Sequence, residues 1–293
     1  MGASVSNVFI NTYENIVRHL AQQDVTRLRP WVMERSVQSE AHNWERLGSR
    51  EALEKTSRLQ ATPSQDYPFS RRQSIPKTWN TGDDTEQEDI AQMLVDPNSN
   101  IAYAQAMAMR RAFDDEIIGA ATGDSRDGDG QAVTIPAGQT IGSQGSPVSF
   151  TYDLITQVDE VFYDNDIDAS VEKVFVISPR QNRKLQQLTE AVSADYNRNM
   201  PLNGDGSIKK WFGYNWIVSS RLPDSSAGQD GSENYIFAMT KRAIGLQMNK
   251  DLWVRVDEDP SVSFAWRIYA AATFGAIRVE DEQLVRINCS TTI

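Results

Sequence analysis

Apolar residues recur at helical spacing along several stretches of the chain. From Ser6 to Gln22, Val8, Phe9, Tyr13, Ile16, Val17 and Leu20 fall near one face, which predicts a helix. Asp89 to Val95 predicts a second, short helix, and Asp96-Pro97-Asn98-Ser99 a break rich in capping residues. Asn100 to Ala121 then predicts a long helix of about six turns, ended by Gly123. Its stripe runs Ala102, Ala106, Met109, Phe113, Ile117, Ala120, with small residues toward the start that permit close packing on a sheet. Arg110 with Asp114, and Arg111 with Asp115, are spaced for weak ion pairs on exposed faces.

Residues 123 to 149 read as a long loop with at most a short strand over Val133–Ile135. A Ser149/Thr151 cap opens the next helix, carried by Leu154, Ile155, Val158, Val161 and Phe162. Lys173–Ile177 is a buried-looking strand that stops at Ser178-Pro179-Arg180-Gln181, a capping box with proline at the first helical position. The helix it starts carries Leu185 and Leu188; Asn203 to Gly206 is a turn, and Gly213–Ser219 a further strand. From Arg242 the pattern is β. Strands are predicted over Ile244–Met248, Leu252–Val256, Val262–Tyr269, Ala276–Val279 and Leu284–Ile287, with a turn at Asp257–Pro260.

Asp24 to Asn80 fits neither period. It is rich in Arg, Gln, Ser and Pro, yet holds Trp31, Trp44, Tyr67, Phe69 and Trp79. Such aromatics either pack back on their own chain or anchor a neighbouring subunit, where Trp, Tyr and Arg are favoured. Pro63, Pro68 and Pro76 favour an extended β-loop over a helix. The charge changes sign here: residues 49–80 carry six basic against three acidic side chains, and 81–130 three against twelve. The basic strip (Arg71, Arg72 and Lys77 among it) and the acidic one are therefore either solvated faces or complementary patches. The whole chain has 293 residues and a net charge of −11, a poor footprint for nucleic-acid binding. One cysteine excludes an internal disulfide, and no window approaches a membrane span or a signal peptide.

Catalytic patterns are missing: no G-x-S-x-G, Walker A, dinucleotide fingerprint or H-E-x-x-H occurs. His19 and His42 read as structural or surface residues, and Cys289 as a buried inert thiol. Residues 124–130 (DSRDGDG) look superficially like a calcium loop, but Gly138 stands where an EF-hand has its closing Glu. Asp83-Asp84 and Asp114-Asp115-Glu116 could in principle serve as paired carboxylates for acid/base work; solvation or a basic partner is the simpler role.

Three runs carry a family resemblance: residues 88–123 (EDIAQMLVDPNSNIAYAQAMAMRRAFDDEIIGAATG), 174–188 (VFVISPRQNRKLQQL) with 203–223 (NGDGSIKKWFGYNWIVSSRLP), and 241–287. In that order they resemble the tailed-bacteriophage major capsid (coat) proteins, the Johnson fold. The resemblance implies an α+β coat fold, with a long spine helix in the peripheral domain and an α/β axial domain. It places an N-terminal arm at 1–45 and an E-loop at 46–80, reaching over an adjacent subunit. The peripheral domain would be 81–125 with 240–274, and the axial domain 126–239 with 275–293. It implies a virion shell protein and no enzyme, with no cofactor, metal or membrane partner. The chain would self-assemble, in the bacterial host cytoplasm, into pentamers and hexamers of an icosahedral head. That head would enclose double-stranded DNA without specific binding. The expected assembly contacts are Trp31, Trp44, Tyr67, Phe69, Arg71, Arg72, Lys77 and Trp79. The sequence leaves no room for a long cleaved N-terminal scaffold segment, so a separate scaffolding protein, with a portal, is expected unless the chain is already trimmed; a cement protein would be a further partner. Covalent cross-linking between Lys and Asn, which a few relatives use, is not expected here, although Lys77 is one possible donor for it. An encapsulin-like shell, or a hydrolase using Asp114 or Glu116, are the alternative readings.

Overall fold

The computed structural model describes residues 23, 25–61, 64, 66–85, 97–192, 208, 210–226, 229–262 and 264–291, with backbone alone at 97–100 and 192. The helices read at Ser6–Gln22 and Asp89–Val95, His19, Pro63 and the turn at Asn203–Gly206 lie outside those residues.

The described elements are helical and extended in alternation. The strands β1 (Met33–Ser36), β2 (His42–Leu47), β3 (Phe69–Ser74) and β4 (Lys77–Thr85) come first. Helix α1 (Pro97–Thr122) follows, then the short strands β5 (Ser125–Arg126), β6 (Ala132–Val133) and β7 (Thr140–Ile141). Next are α2 (Tyr152–Asp164), β8 (Lys173–Ile177), α3 (Pro179–Gln187), α4 (Thr189–Val192), β9 (Lys210–Trp211) and β10 (Tyr214–Val218). The chain closes with β11 (Glu233–Thr240), β12 (Ile244–Asp259), β13 (Ala265–Arg278) and β14 (Leu284–Ser290). The α+β class stands.

Several boundaries differ from the sequence pattern for physical reasons. Helix α1 begins at Pro97 rather than Asn100, because the first helical position needs no N–H donor. Along it Met109, Phe113 and Ile117 are buried, whereas Ala102, Ala106 and Ala120 are half-buried. The two strands expected at 244–248 and 252–256 are one, β12, running on through Asp257 to Asp259, and 265–278 is likewise unbroken. The turn therefore falls just after Asp259, and Val262 belongs to it instead of to a strand. Ser178 does not cap the backbone of α3; its hydroxyl donates to the Gln181 side chain, whose amide in turn donates to the Ser290 carbonyl at 3.3 Å. Thr151 does cap α2, accepting the Leu154 N–H at 3.3 Å.

The chain divides into two compact units. Among the described residues, unit one takes Thr78–Arg111 and Leu252–Ala272; unit two takes Thr26–Lys77, Ala112–Asp251 and the chain from Thr273. In unit one Gln105 is buried and donates to the Ile268 carbonyl at 3.2 Å. Trp253 meets Tyr269 edge-on at 5.5 Å, and Arg267 reaches Asp259 at 3.1 Å.

Unit two holds the larger core, a mixed six-stranded sheet in the order β7-β14-β11-β8-β10-β9. All five residues of β8 are buried between antiparallel β11 and parallel β10. The register sets Trp216 beside Phe175, and their rings stack at 4.7 Å. Each such ring or aliphatic side chain, fully buried, contributes about 1.5–3 kcal/mol. Lys173 is buried at the start of β8, bonded to Asp159 at 3.0 Å with its ammonium over the Phe162, Tyr163 and Tyr214 rings. Tyr214 also donates to Asp159, and burial beside that carboxylate pushes its phenol well above the usual tyrosine range. A buried lysine is tolerated because the carboxylate and three ring faces replace its water.

Candidate functional site

Within the stretch that matched neither period, His42–Leu47 and Phe69–Ser74 form an antiparallel hairpin. β2 and β3 pair with Trp44 opposite Arg72, Glu45 opposite Arg71, and Leu47 opposite Phe69. Side chains alternate across a strand, so His42, Trp44, Arg46, Ser70, Arg72 and Ser74 share one face. Asn43, Glu45, Leu47, Phe69, Arg71 and Gln73 share the other.

The first face lies on the subunit's own core. Trp44 is buried against Ile277, Val279 and Met33. Its indole N–H donates to the Ser74 hydroxyl at 3.1 Å, and Ser74 donates to Gln247 at 2.8 Å. Gly245 makes the ring fit: a Cβ there would stand 2.6 Å from it. Arg72 is equally buried and bonds Asp281 at 2.5 Å. Trp44 and Arg72, expected as contacts to other copies, are thus engaged within the chain.

The second face has no such cover among the described residues. Leu47 and Phe69, directly opposed, are 58% and 75% exposed. Arg71 pairs with Glu45 at 2.8 Å, both more than half exposed. The connecting segment from Ser49 to Ala61 is exposed at every residue, including Leu53 and Leu59. At its neck the Gly48 N–H bonds the Pro68 carbonyl at 2.9 Å, and any Cβ at Gly48 would strike the Pro68 ring at 2.6 Å. Tyr67 is half-exposed, with the Arg50 guanidinium 4.9 Å over its ring.

Of the remaining expected contacts, Trp31 ends a 3₁₀ turn (Arg29–Trp31) and is half-buried, and Trp79 on β4 is 37% exposed. Lys77 reaches Glu116 at 3.2 Å with its amine largely exposed. That pair borders a polar cleft of about 360 Å³ lined also by Gln73, Ser74, Asp124 and Arg126.

The three carboxylates of α1 are all committed. Asp114, expected on an exposed face, is buried and accepts the backbone N–H groups of Arg27 and Leu28 at 3.0–3.2 Å. Asp115 takes a two-point contact from Arg221, whose guanidinium it raises above its ordinary value. Glu116 takes Lys77. The DSRDGDG loop lies on the hairpin too: Asp127 bridges Arg72 backbone to backbone, and its carboxylate accepts the N–H groups of Asp129 and Gln131 at 3.0 and 2.8 Å. Cys289 is buried, and burial pushes its thiol up to about 11. His42 packs edge-on to Trp44 at 5.0 Å.

The sequence pattern missed Leu47, Leu53 and Leu59 as exposed apolar groups, and Asp281 as a partner of Arg72. Alternation from Trp44 and Phe69 would have exposed the Leu47–Phe69 pair.

Comparison with known proteins adds the following. The family described as phage capsid protein matches residues 5–291. No curated protein matches the sequence. The fold is similar to the capsid of cyanophage P-SCSP1u, with TM-score 0.77 and 16% identity over 100% of this chain and 96% of that one. It is similar to Mycobacterium phage Che8 with TM-score 0.72 and 15% identity, covering 96% and 97%. The capsid of the native GTA particle matches with TM-score 0.69 and 14% identity, covering 97% and 96%.

Proposed function

Because the chain belongs to the phage capsid protein family, and so builds the shell of a phage head, we propose that its copies join through the outer face of the β2–β3 hairpin and the exposed segment that connects the two strands. One observation carries this reading: Leu47 and Phe69 form an exposed apolar cross-strand pair that the described residues of their own chain leave uncovered, continued by Leu53, Leu59 and Tyr67. Apolar surface left in water in this way marks an interaction site. The other copy is the partner available in every shell, and a patch meeting a different patch on the next copy closes into rings.

The connecting segment and β3 then belong to the E-loop (46–80), and β2 carries the chain into it from the arm (1–45), with 81–125 and 240–274 the peripheral domain, and 126–239 and 275–293 the axial domain. Supporting this division, the six-stranded sheet draws all its strands from the axial ranges, save Thr240 at the end of β11. Copies of the chain form pentamers and hexamers around double-stranded DNA, assembled in the host cytoplasm with a separate scaffolding protein and portal. An acidic subunit repels the enclosed DNA and leaves it mobile. The work is structural and draws on no catalytic group; Asp114, Asp115 and Glu116 serve as ties for neighbouring segments.

The test is the double substitution Leu47→Ser with Phe69→Ser. It is expected to leave the subunit folded by circular dichroism while light scattering and negative-stain microscopy show no shells. Shells of normal yield and size from that variant would overturn the assignment.

A further inference from the structure

Asp281 lies in the turn between β13 and β14 and is the meeting point of arginines from separate parts of unit two. Its Oδ1 accepts from Arg278 Nε at 2.6 Å, and its Oδ2 from Arg72 Nη2 at 2.5 Å. Arg46 Nη1 stands 3.7 Å from the same Oδ2, while its other end reaches Glu282 at 3.1 Å. The side chains of Arg278, Arg72 and Asp281 are 0%, 8% and 7% exposed, so water hardly screens this cluster.

The arginines differ in what else holds them. Arg278 also donates to the Gly123 carbonyl at 2.6 Å and the Val133 carbonyl at 3.0 Å, so its whole fork is fixed by the end of α1 and by β6. Arg72, in contrast, has a buried Nε with no hydrogen-bond partner among the described residues; of its polar atoms, Nη2 carries the bond to Asp281. Arg278 with Asp281 is therefore a balanced pair built into the body, and Arg72 is a surplus cation brought to it by the hairpin. Glu280 and Glu282 flank the turn, and Asp124 adds its field on Arg278.

We infer that Asp281 is the positioning residue of the hairpin: anchored by Arg278, it fixes through Arg72 the direction in which the outer face of β2–β3 is presented. The inference rests on the reading that this face meets another copy, but its mechanism acts within one subunit. A second tie, the Trp44–Ser74–Gln247 chain, holds the other end of the same strands. The two ties make the prediction local. Arg72→Met removes the surplus cation and leaves the Arg278–Asp281 pair balanced.

Hydrogen exchange on the unassembled full-length subunit, read with overlapping peptides, tests this. Arg72→Met is expected to speed exchange at 45–47 and 69–71 by on the order of tenfold, with 42–44 and 73–74 unchanged. Arg72→Lys, which keeps the charge on a single-point donor, should fall between. Asp281→Asn should loosen the same residues and also lower the melting temperature, since it leaves two buried guanidinium groups uncompensated. Wild-type exchange at 45–47 and 69–71 in Arg72→Met, or equal loosening at both ends, would overturn the inference. Neither outcome depends on assembly: Leu47→Ser with Phe69→Ser should leave the exchange pattern intact, so the two readings fail separately.

Discussion

Along β2 and β3, residues pointing inward and outward differ in whether their own chain supplies a partner for their apolar surface. Trp44 has Ile277, Val279 and a glycine opposite its ring; Phe69, three pairs along the same ladder, is three-quarters exposed. Backbone, hydrogen-bonding pattern and β-propensity are shared between the two faces. What separates them is period two set against a body that covers only one side. Aromatic content alone therefore does not mark an interface: the aromatics of this stretch split according to the parity of their position.

Substitutions can break that contrast in order of size. Trp44→Ala empties the inner face and should lower unfolding free energy by about 3–5 kcal/mol, as large-to-small core changes do. Chemical denaturation measures it, and a loss within error would place Trp44 outside the core. Arg72→Glu belongs to the same class, since it sets a second carboxylate beside Asp281 where Arg278 is already committed and Arg46 is shared with Glu282, a loss of about 3–5 kcal/mol. Reversing Arg71 and Arg72 together would thus confound folding with assembly; Arg71→Glu alone is the clean probe. Gly245→Ala drives a methyl into the Trp44 ring and should destabilise by about 1–3 kcal/mol. Arg71→Glu breaks only an exposed pair with Glu45, so stability should move by less than about 1 kcal/mol. Its effect belongs in shell yield, which should fall. The smallest effect concerns Cys289. Burial raises its thiol to about 11 from about 9, so the neutral form is favoured in the fold. Stability is unaffected below about pH 9 and falls as pH rises from there toward 11. Thiol labelling near neutral pH should need unfolding; rapid labelling of the native chain would contradict the burial.

Legibility in the sequence followed the range of the interactions involved. Helix α2, β8 and the proline that opens α3 rest on neighbours within a few positions, and their patterns were readable. β11 was not read, because Tyr235 to Met239 is an unbroken apolar run, and a strand covered on both faces shows no alternation. The separate strands expected at Val262–Tyr269 and Ala276–Val279 are one, and β13 passes through Gly275; the glycine fits there because Ile75 O and Pro76 approach to 2.6–2.9 Å of where a Cβ would stand. The hairpin's extended character was visible from its prolines, and its aromatic content raised the interface question. Which aromatic faced which way depended on Asp281 and Ile277, more than two hundred positions away, and no local pattern carries that.

The three successive acids on α1 have a bearing on how this protein can drift over evolutionary time. Asp115 and Glu116 each grip a side chain, Arg221 and Lys77, so those two couples should be exchanged together, with charges swapped or lost in step across distant lineages. Asp114 grips main-chain N–H groups at 27 and 28, which every residue but proline supplies. An aligned set of relatives should therefore show positions 115 and 221, and 116 and 77, varying in concert, while 114 holds fast as 27 wanders and 28, buried, stays apolar.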